Sequence, residues 1–144
     1  MRLKRAIQYV VVAPHEPAAL ARATATIAHA GVPSAGVTMT KAGESLLLRF
    51  AGGPRRGLKT KLESQGLRVH ETPVLELEGD PTMVGLDRAL AALAARGINI
   101  DGCHRGSRGG RATWVLSVDK LDEAARALEE IFARSARPGA ATAA

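Results

Sequence analysis

The chain has 144 residues, a formal net charge of +6, and 46% hydrophobic but only 3% aromatic residues. This length fits one ordinary domain or two small ones of about 70 residues, and the aliphatic content is ample for a core, which excludes a disordered chain. A single cysteine excludes an internal disulfide and a cysteine zinc cage. No apolar run approaches the roughly 20 residues of a membrane-spanning helix. We therefore expect a cytoplasmic protein without a membrane partner.

The first half of the chain alternates between strand-like and helix-like patterns. A basic lead-in, residues 1–5, precedes an apolar run that is typical of a central strand. The expected order is strand 7–13, helix 17–30, strand 32–39, strand 44–51, helix 54–65 and strand 67–72. This is the order of the ferredoxin-like βαββαβ unit, with glycines at the helix ends.

The second half repeats most of that order after a boundary at Pro73. We expect a strand at 74–78, a helix from Asp80 or Pro81 to Arg96, a strand at 98–104, a basic hairpin loop at 105–110, a strand at 112–118 and a last helix that ends at 132. No fourth strand follows, because residues 133–144 predict a disordered tail. We expect the first copy's sheet or a second subunit to cover the sheet edge that is left open.

A shift of 66 positions relates the two halves, since it places Leu20 on Leu86 and Gly31 on Gly97. The same shift superposes further apolar residues: Tyr9 on Leu75, Val11 on Leu77, Leu48 on Trp114 and Phe50 on Leu116. The predicted fold class is α+β, with two tandem ferredoxin-like modules. The modules comprise residues 1–73 and 74–132, the second lacks a clear final strand, and the tail comprises 133–144.

The repeated unit resembles the ACT domain, a small βαββαβ module that binds amino acids and regulates metabolic enzymes. The resemblance is carried by the Gly-Ile-Asn-Ile at 97–100, its counterpart Gly31-Val32, and the Pro-x-x-Leu at 17–20. It covers residues from about 5 to 130. It implies a non-enzymatic regulatory protein, a homodimer, that binds an amino acid at an interface between modules or subunits.

In ACT domains the ligand sits near the loop after the first strand, where backbone N–H groups at a helix N-terminus bind a carboxylate. The resemblance therefore implies ligand residues in both copies: His15, Glu16 and Ala18 in the first, and Asp80, Pro81, Thr82, Met83, Asn99, Ile100 and Asp101 in the second. Both copies depart from the family pattern, because His15 replaces an aspartate and Ala18 and Val84 each replace a glycine. Helix capping by Asp80 and a solvated loop at His15 and Glu16 stay open as structural alternatives.

No pattern of catalytic or metal-binding residues is evident. Cys103 and His104 are adjacent on a strand, so their side chains point to opposite faces and form no dyad. The four histidines lack metal-ligand spacing, and no carboxylate pair is placed for acid–base chemistry. We predict neither an enzyme nor a cofactor or metal.

Two alternatives to an amino-acid sensor stay open. One is a protein–protein interaction module with degenerate ligand sites, which joins its partner through the open sheet edge. The other is a weak nucleic-acid binder that uses Arg105, Arg108 and Arg111. RNA-recognition modules of this topology stack bases on strand aromatics, whereas Phe50 and Trp114 fall on the core-facing side of their strands, so we do not expect a nucleic-acid partner.

Overall fold

The computed structural model describes residues 1–32, 36–79 and 83–135. The chain divides into two compact units, of which one comprises Ala6–Pro73 and the other comprises Met1–Arg5 together with Val74–Ala144. The elements in chain order are β1 (Arg2–Pro14), α1 (Pro17–His29), β2 (Thr38–Ala42), β3 (Ser45–Gly52), α2 (Leu58–Glu63), β4 (Arg68–Glu78), α3 (Met83–Ala95), β5 (Ile100–Arg108), β6 (Arg111–Val118) and α4 (Leu121–Ser135). None of the described helices is long and apolar enough to cross a membrane.

The unit Ala6–Pro73 has the strand order β2-β3-β1-β4 and carries α1 and α2, which is the ferredoxin-like arrangement. β3 pairs antiparallel with both β1 and β2. β2 and β3 form a hairpin whose turn contains Gly43 at φ +61°, a conformation that favours glycine. The core consists of alternate strand residues and the inner faces of the helices: Tyr9, Val11, Ala13, Ala23, Ile27, Leu48, Phe50, Leu58, Leu62, Leu67 and Val69.

The other unit contains the end of β4, α3, β5, β6 and α4, with the strand order β4-β6-β5. Because β1 is the other neighbour of β4 and Met1–Arg5 belongs to this unit, the start of β1 supplies the fourth strand. Met1 and Leu3 pack against a core that includes Leu75, Leu77 and Leu93. The sheet edge of this unit that was expected to be open is thus covered by residues at the start of β1.

Two strands are longer than the sequence analysis predicts. Residues 2–5, expected as a lead-in, are part of β1. Residues 67–72 and 74–78 were expected as two strands separated at Pro73, but β4 runs from Arg68 through Pro73 to Glu78. Proline lacks an N–H group, so a strand tolerates it only where the ladder needs no donor. Pro73 is exposed and is the last residue of the unit Ala6–Pro73, but it does not break β4.

Other boundaries differ more modestly. β5 extends to Arg108, so most of the expected loop at 105–110 is strand and the turn is reduced to Gly109 and Gly110, both at positive φ. α2 begins only at Leu58, because Gly57 before it is left-handed at φ +81°. β2 comprises Thr38–Ala42, and residues 33–35 of the strand expected at 32–39 lie outside the described part of the chain. Residues 133–135, expected in the tail, are the last residues of α4, and residues 136–144 lie outside the described part of the chain.

The shift of 66 positions also relates the strand registers of the two units. The pair Tyr9–Phe50 in one unit corresponds under the shift to Leu75–Leu116 in the other, and Val11–Leu48 corresponds to Leu77–Trp114. The helix ends correspond as well. The Gly31 N–H donates to Ala28 O (2.9 Å) and the Gly97 N–H to Ala94 O (3.0 Å). Both glycines are left-handed, at φ +76° and +66°.

Candidate functional site

The first-module candidates His15, Glu16 and Ala18 lie where β1 leads into α1, and all three are exposed. The His15 N–H donates to Glu44 O (3.1 Å), which fixes the loop against the β2–β3 turn. Glu16 is the N-cap residue in an extended conformation, but its side chain makes no capping hydrogen bond. The Glu16 side chain therefore does not cap the N–H groups in the first turn of α1. The carboxylate of a ligand could accept hydrogen bonds from these groups.

In the second module, Asp80, Pro81 and Thr82 lie outside the described residues. Met83 begins α3, and its side chain is 63% exposed. It lines a cleft of about 360 Å³ together with Leu86, Asp87 and Leu90. Of these four described lining residues, three are apolar and Asp87 supplies a carboxylate. A predicted ligand residue is thus part of a concave surface of the size that small molecules occupy.

Asn99 makes hydrogen bonds within its own unit. Its N–H donates to Asp119 Oδ1 and its side-chain amide to Asp119 Oδ2, both at 3.0 Å. The Asp119 N–H in turn donates to Asn99 O (3.2 Å). The Asp119 carboxylate therefore holds the residue that precedes β5. Ile100 and Asp101, which follow on β5, are exposed.

The unit Ala6–Pro73 has an apolar cleft of about 420 Å³ that the sequence analysis missed. Its lining combines α1, β2, β3 and the segment between α1 and β2: Thr24, Ile27, Ala28, Val32, Val37, Met39 and Leu48. The hydroxyl of Thr24 donates to Leu20 O (2.8 Å), so its proton is already used. The cleft therefore offers no charge and no free donor among its described lining residues.

A second cleft of the same unit, about 310 Å³ in volume, is basic. It lies between the end of α1 and α2, and its lining residues are Thr26, Ala30, Pro54, Arg55, Arg56, Leu58 and Lys61. Arg55 is held in place twice, since its N–H donates to the Tyr9 hydroxyl (2.9 Å) and its Nη1 to Ala30 O (2.7 Å).

Two of the basic residues considered for nucleic-acid binding are engaged within their unit. The Arg105 guanidinium lies over the Trp114 ring at 4.7 Å from its centroid. Arg111 Nη1 lies 3.2 Å from Glu78 Oε1, and Lys4 Nζ lies 3.7 Å from Glu78 Oε2. The Glu78 side chain is 7% exposed, so its carboxylate is well shielded from solvent. Its contacts with Arg111 and Lys4 neutralise part of the basic charge near the β5–β6 turn.

Among the described residues, no group of three or more His, Cys, Asp and Glu side chains could hold a metal ion. Burial raises the pKa of the Cys103 thiol, and a thiol that stays protonated is a poor nucleophile.

The chain is similar to solved structures over nearly its whole length. Protein BT0572 from Bacteroides thetaiotaomicron has a TM-score of 0.72 at 19% identity, with 90% of each chain covered. The ligand-free regulatory subunit of aspartate kinase from Thermus thermophilus has a TM-score of 0.56 at 13% identity, with 92% of this chain and 98% of that chain covered. Aspartokinase III of E. coli, in complex with lysine and aspartate, has a TM-score of 0.53 at 15% identity. The match covers 94% of this chain but 32% of the aspartokinase.

No protein-family model matches the sequence, and no curated protein is similar to it. At these identities the structural similarities show the fold alone. They support the ACT-like fold that the resemblance implies, and the α+β class is confirmed.

Proposed function

We propose that the protein is a non-enzymatic regulatory protein, composed of two copies of one ACT-like module, that binds a free amino acid. The observation that carries this proposal is the cleft at the start of α3, which Met83 lines with Leu86, Asp87 and Leu90. The fold supports the proposal, because the chain matches a regulatory subunit of aspartate kinase from end to end. The complex of E. coli aspartokinase III with lysine and aspartate supports an amino acid as the ligand.

The chemistry of the cleft suits a zwitterion with an apolar side chain. The Asp87 carboxylate would accept hydrogen bonds from the ligand's ammonium group, and the N–H groups in the first turn of α3 would bind the ligand's carboxylate. Met83, Leu86 and Leu90 would contact the side chain. The loop residues Asp80, Pro81 and Thr82 and the strand residues Asn99, Ile100 and Asp101 belong to the same proposed site.

The loop of the first module offers a second, weaker site of the same kind, where Glu16 would take the ammonium group next to the uncapped start of α1. His15 and Ala18 would flank the ligand there. In this proposal the protein is a cytoplasmic homodimer, and the amino acid changes its association or the conformation of a partner because it binds one state better than the other.

A thermal-shift screen with the twenty amino acids at millimolar concentration tests the proposal. A ligand that binds only the native state raises the melting temperature in a dose-dependent way. Asp87→Asn should remove that rise, whereas Glu129→Gln, the same loss of charge at an exposed position of α4, should keep it. If no amino acid shifts the melting temperature of the wild-type protein, the proposal is wrong.

The exposed strand β2 favours an interaction module as a second candidate function. β2 is terminal in the strand order, all five of its residues are exposed, and Met39 is 49% exposed. An edge strand can pair with another chain, and lysines on the edge discourage such pairing. β2 carries one lysine, Lys41, and Met39→Lys would add a second. Sedimentation of the wild type and of Met39→Lys should therefore show association that the variant loses. A wild-type protein that stays monomeric would argue against homotypic pairing through this edge.

A further inference from the structure

The basic cleft between α1 and α2 has a charge pattern that the proposed amino-acid site does not explain. Of its seven lining residues, Arg55, Arg56 and Lys61 are cations and none is acidic. The nearest acidic residue in sequence, Glu63, is paired with Lys59 at 3.8 Å, one turn earlier on α2. Among the described residues, Arg56 and Lys61 have no ion-pair partner and both are exposed.

One of the three cations is fixed by the fold. Arg55 Nη1 donates to Ala30 O at the end of α1, and the Arg55 N–H donates to the buried Tyr9 side chain. The first bond partly offsets the negative end of the α1 dipole. Since a guanidinium carries five donors, the remaining donors of Arg55 stay available, in an orientation that needs little further ordering.

We propose that this cleft binds the phosphoryl group of a small phosphomonoester. Three cations against no acid match a dianion, and arginine donors are arranged to fit phosphate oxygens. The zwitterion of a free amino acid carries no net charge and gains little there. The volume of about 310 Å³ limits the ligand to a small molecule. The proposal is independent of the amino-acid site, because it rests on residues of the other unit.

The test is a titration followed by amide chemical shifts in ¹H–¹⁵N spectra of the full chain at constant ionic strength. The probes are inorganic phosphate and glycerol 3-phosphate, with glycerol as the uncharged control. Saturable shifts at Gly31, Arg56 and Gly57 are expected with both phosphates and none with glycerol. Shifts that do not saturate, or that are confined to other parts of the chain, would overturn the proposal.

Variants separate a specific site from general attraction to a basic protein. Arg56→Gln and Lys61→Gln should each weaken phosphate binding by at least about tenfold, the effect of losing one charge-assisted hydrogen bond. The matched control is Lys59→Gln, which removes the same charge from the same short helix but not from the cleft, and it should change the affinity by less than about twofold. Equal weakening by all three variants would show diffuse electrostatic attraction and overturn the proposal. Unchanged affinity in Arg56→Gln and Lys61→Gln would do the same.

Discussion

The Tyr9 ring stacks on the Phe50 ring across the β1–β3 ladder, with centroids 5.1 Å apart and planes 15° apart. The hydroxyl of Tyr9 accepts the Arg55 N–H at 2.9 Å. One buried side chain therefore joins the core of the sheet to the segment that precedes α2 and to the wall of the basic cleft.

Replacing Tyr9 by phenylalanine keeps the stacking and removes only the hydroxyl. The part-buried Arg55 N–H then loses its partner, and we expect the free energy of unfolding to fall by about 1–2 kcal/mol. Urea denaturation measures this as a lower midpoint at an unchanged slope. Tyr9→Leu, which also loses the ring contact, should be less stable than Tyr9→Phe. A midpoint for Tyr9→Phe equal to that of the wild type would show that the hydrogen bond contributes nothing.

Asp119 holds Asn99 through both carboxylate oxygens. We expect Asp119→Ala to lower the free energy of unfolding by about 1–2 kcal/mol, because two donors lose a charged acceptor. Asp122→Ala is the matched control. Its carboxylate forms only an exposed ion pair with Arg5 at 2.7 Å, and exposed pairs contribute about 0–1 kcal/mol. Equal losses in the two variants would contradict the structural role of the Asn99–Asp119 contact.

Gly79 follows β4 at φ +146°, and a Cβ there would lie 2.9 Å from Met1 Cα. Because the added methyl group would meet the main chain of Met1, Gly79→Ala must displace Met1, which directly precedes β1. The alanine would also be strained in the backbone conformation of Gly79. We expect a loss of about 1–3 kcal/mol in a thermal or urea melt. Gly53→Ala is the control, because nothing lies within 4 Å of its added methyl group. The prediction fails if Gly79→Ala is as stable as Gly53→Ala.

The raised pKa of the Cys103 thiol has two measurable consequences. Iodoacetamide reacts with the thiolate, so the native protein should be alkylated more slowly than the urea-unfolded chain near neutral pH, with its rate inflection at a higher pH. The sign for stability follows from proton binding. Between the unfolded-state pKa and the higher native-state pKa, the native state binds more protons than the unfolded chain. This thiol therefore lowers the free energy of unfolding as the pH rises through that range. Identical rate profiles for native and unfolded chains would contradict the shift.

The periodic parts of the fold could be predicted from the sequence because burial imposes the period. Leu86, Leu93 and Gly97 identify α3 and its end, and the shift of 66 positions relates the paired strand residues of one unit to those of the other. Pro73 was misleading, because a proline at an exposed strand position looks the same in a sequence as one that ends a strand. The strand at residues 2–5 could not be recognised from the sequence, because this segment is mostly basic. Met1 and Leu3 are the residues of 1–5 that pack against the core.

The candidate sites also differ in how far they could be predicted from the sequence. Met83 could be predicted as a cleft residue because the resemblance places a ligand at the start of a helix. The apolar cleft could not, because Thr24, Met39 and Leu48 come from three elements and meet only in the tertiary structure. The two contacts of Arg55 could not be predicted either, because Tyr9 and Ala30 lie far from it in the sequence.

The position of Met1–Arg5 in the unit of Val74–Ala144 has a consequence for synthesis on the ribosome. The strand segment Arg2–Arg5 is synthesised long before its neighbours in β4, so it stays unpaired until that part of the chain has been made. A fusion partner attached ahead of Met1 would be anchored to the unit that contains Val74–Ala144, although it is encoded next to Ala6–Pro73.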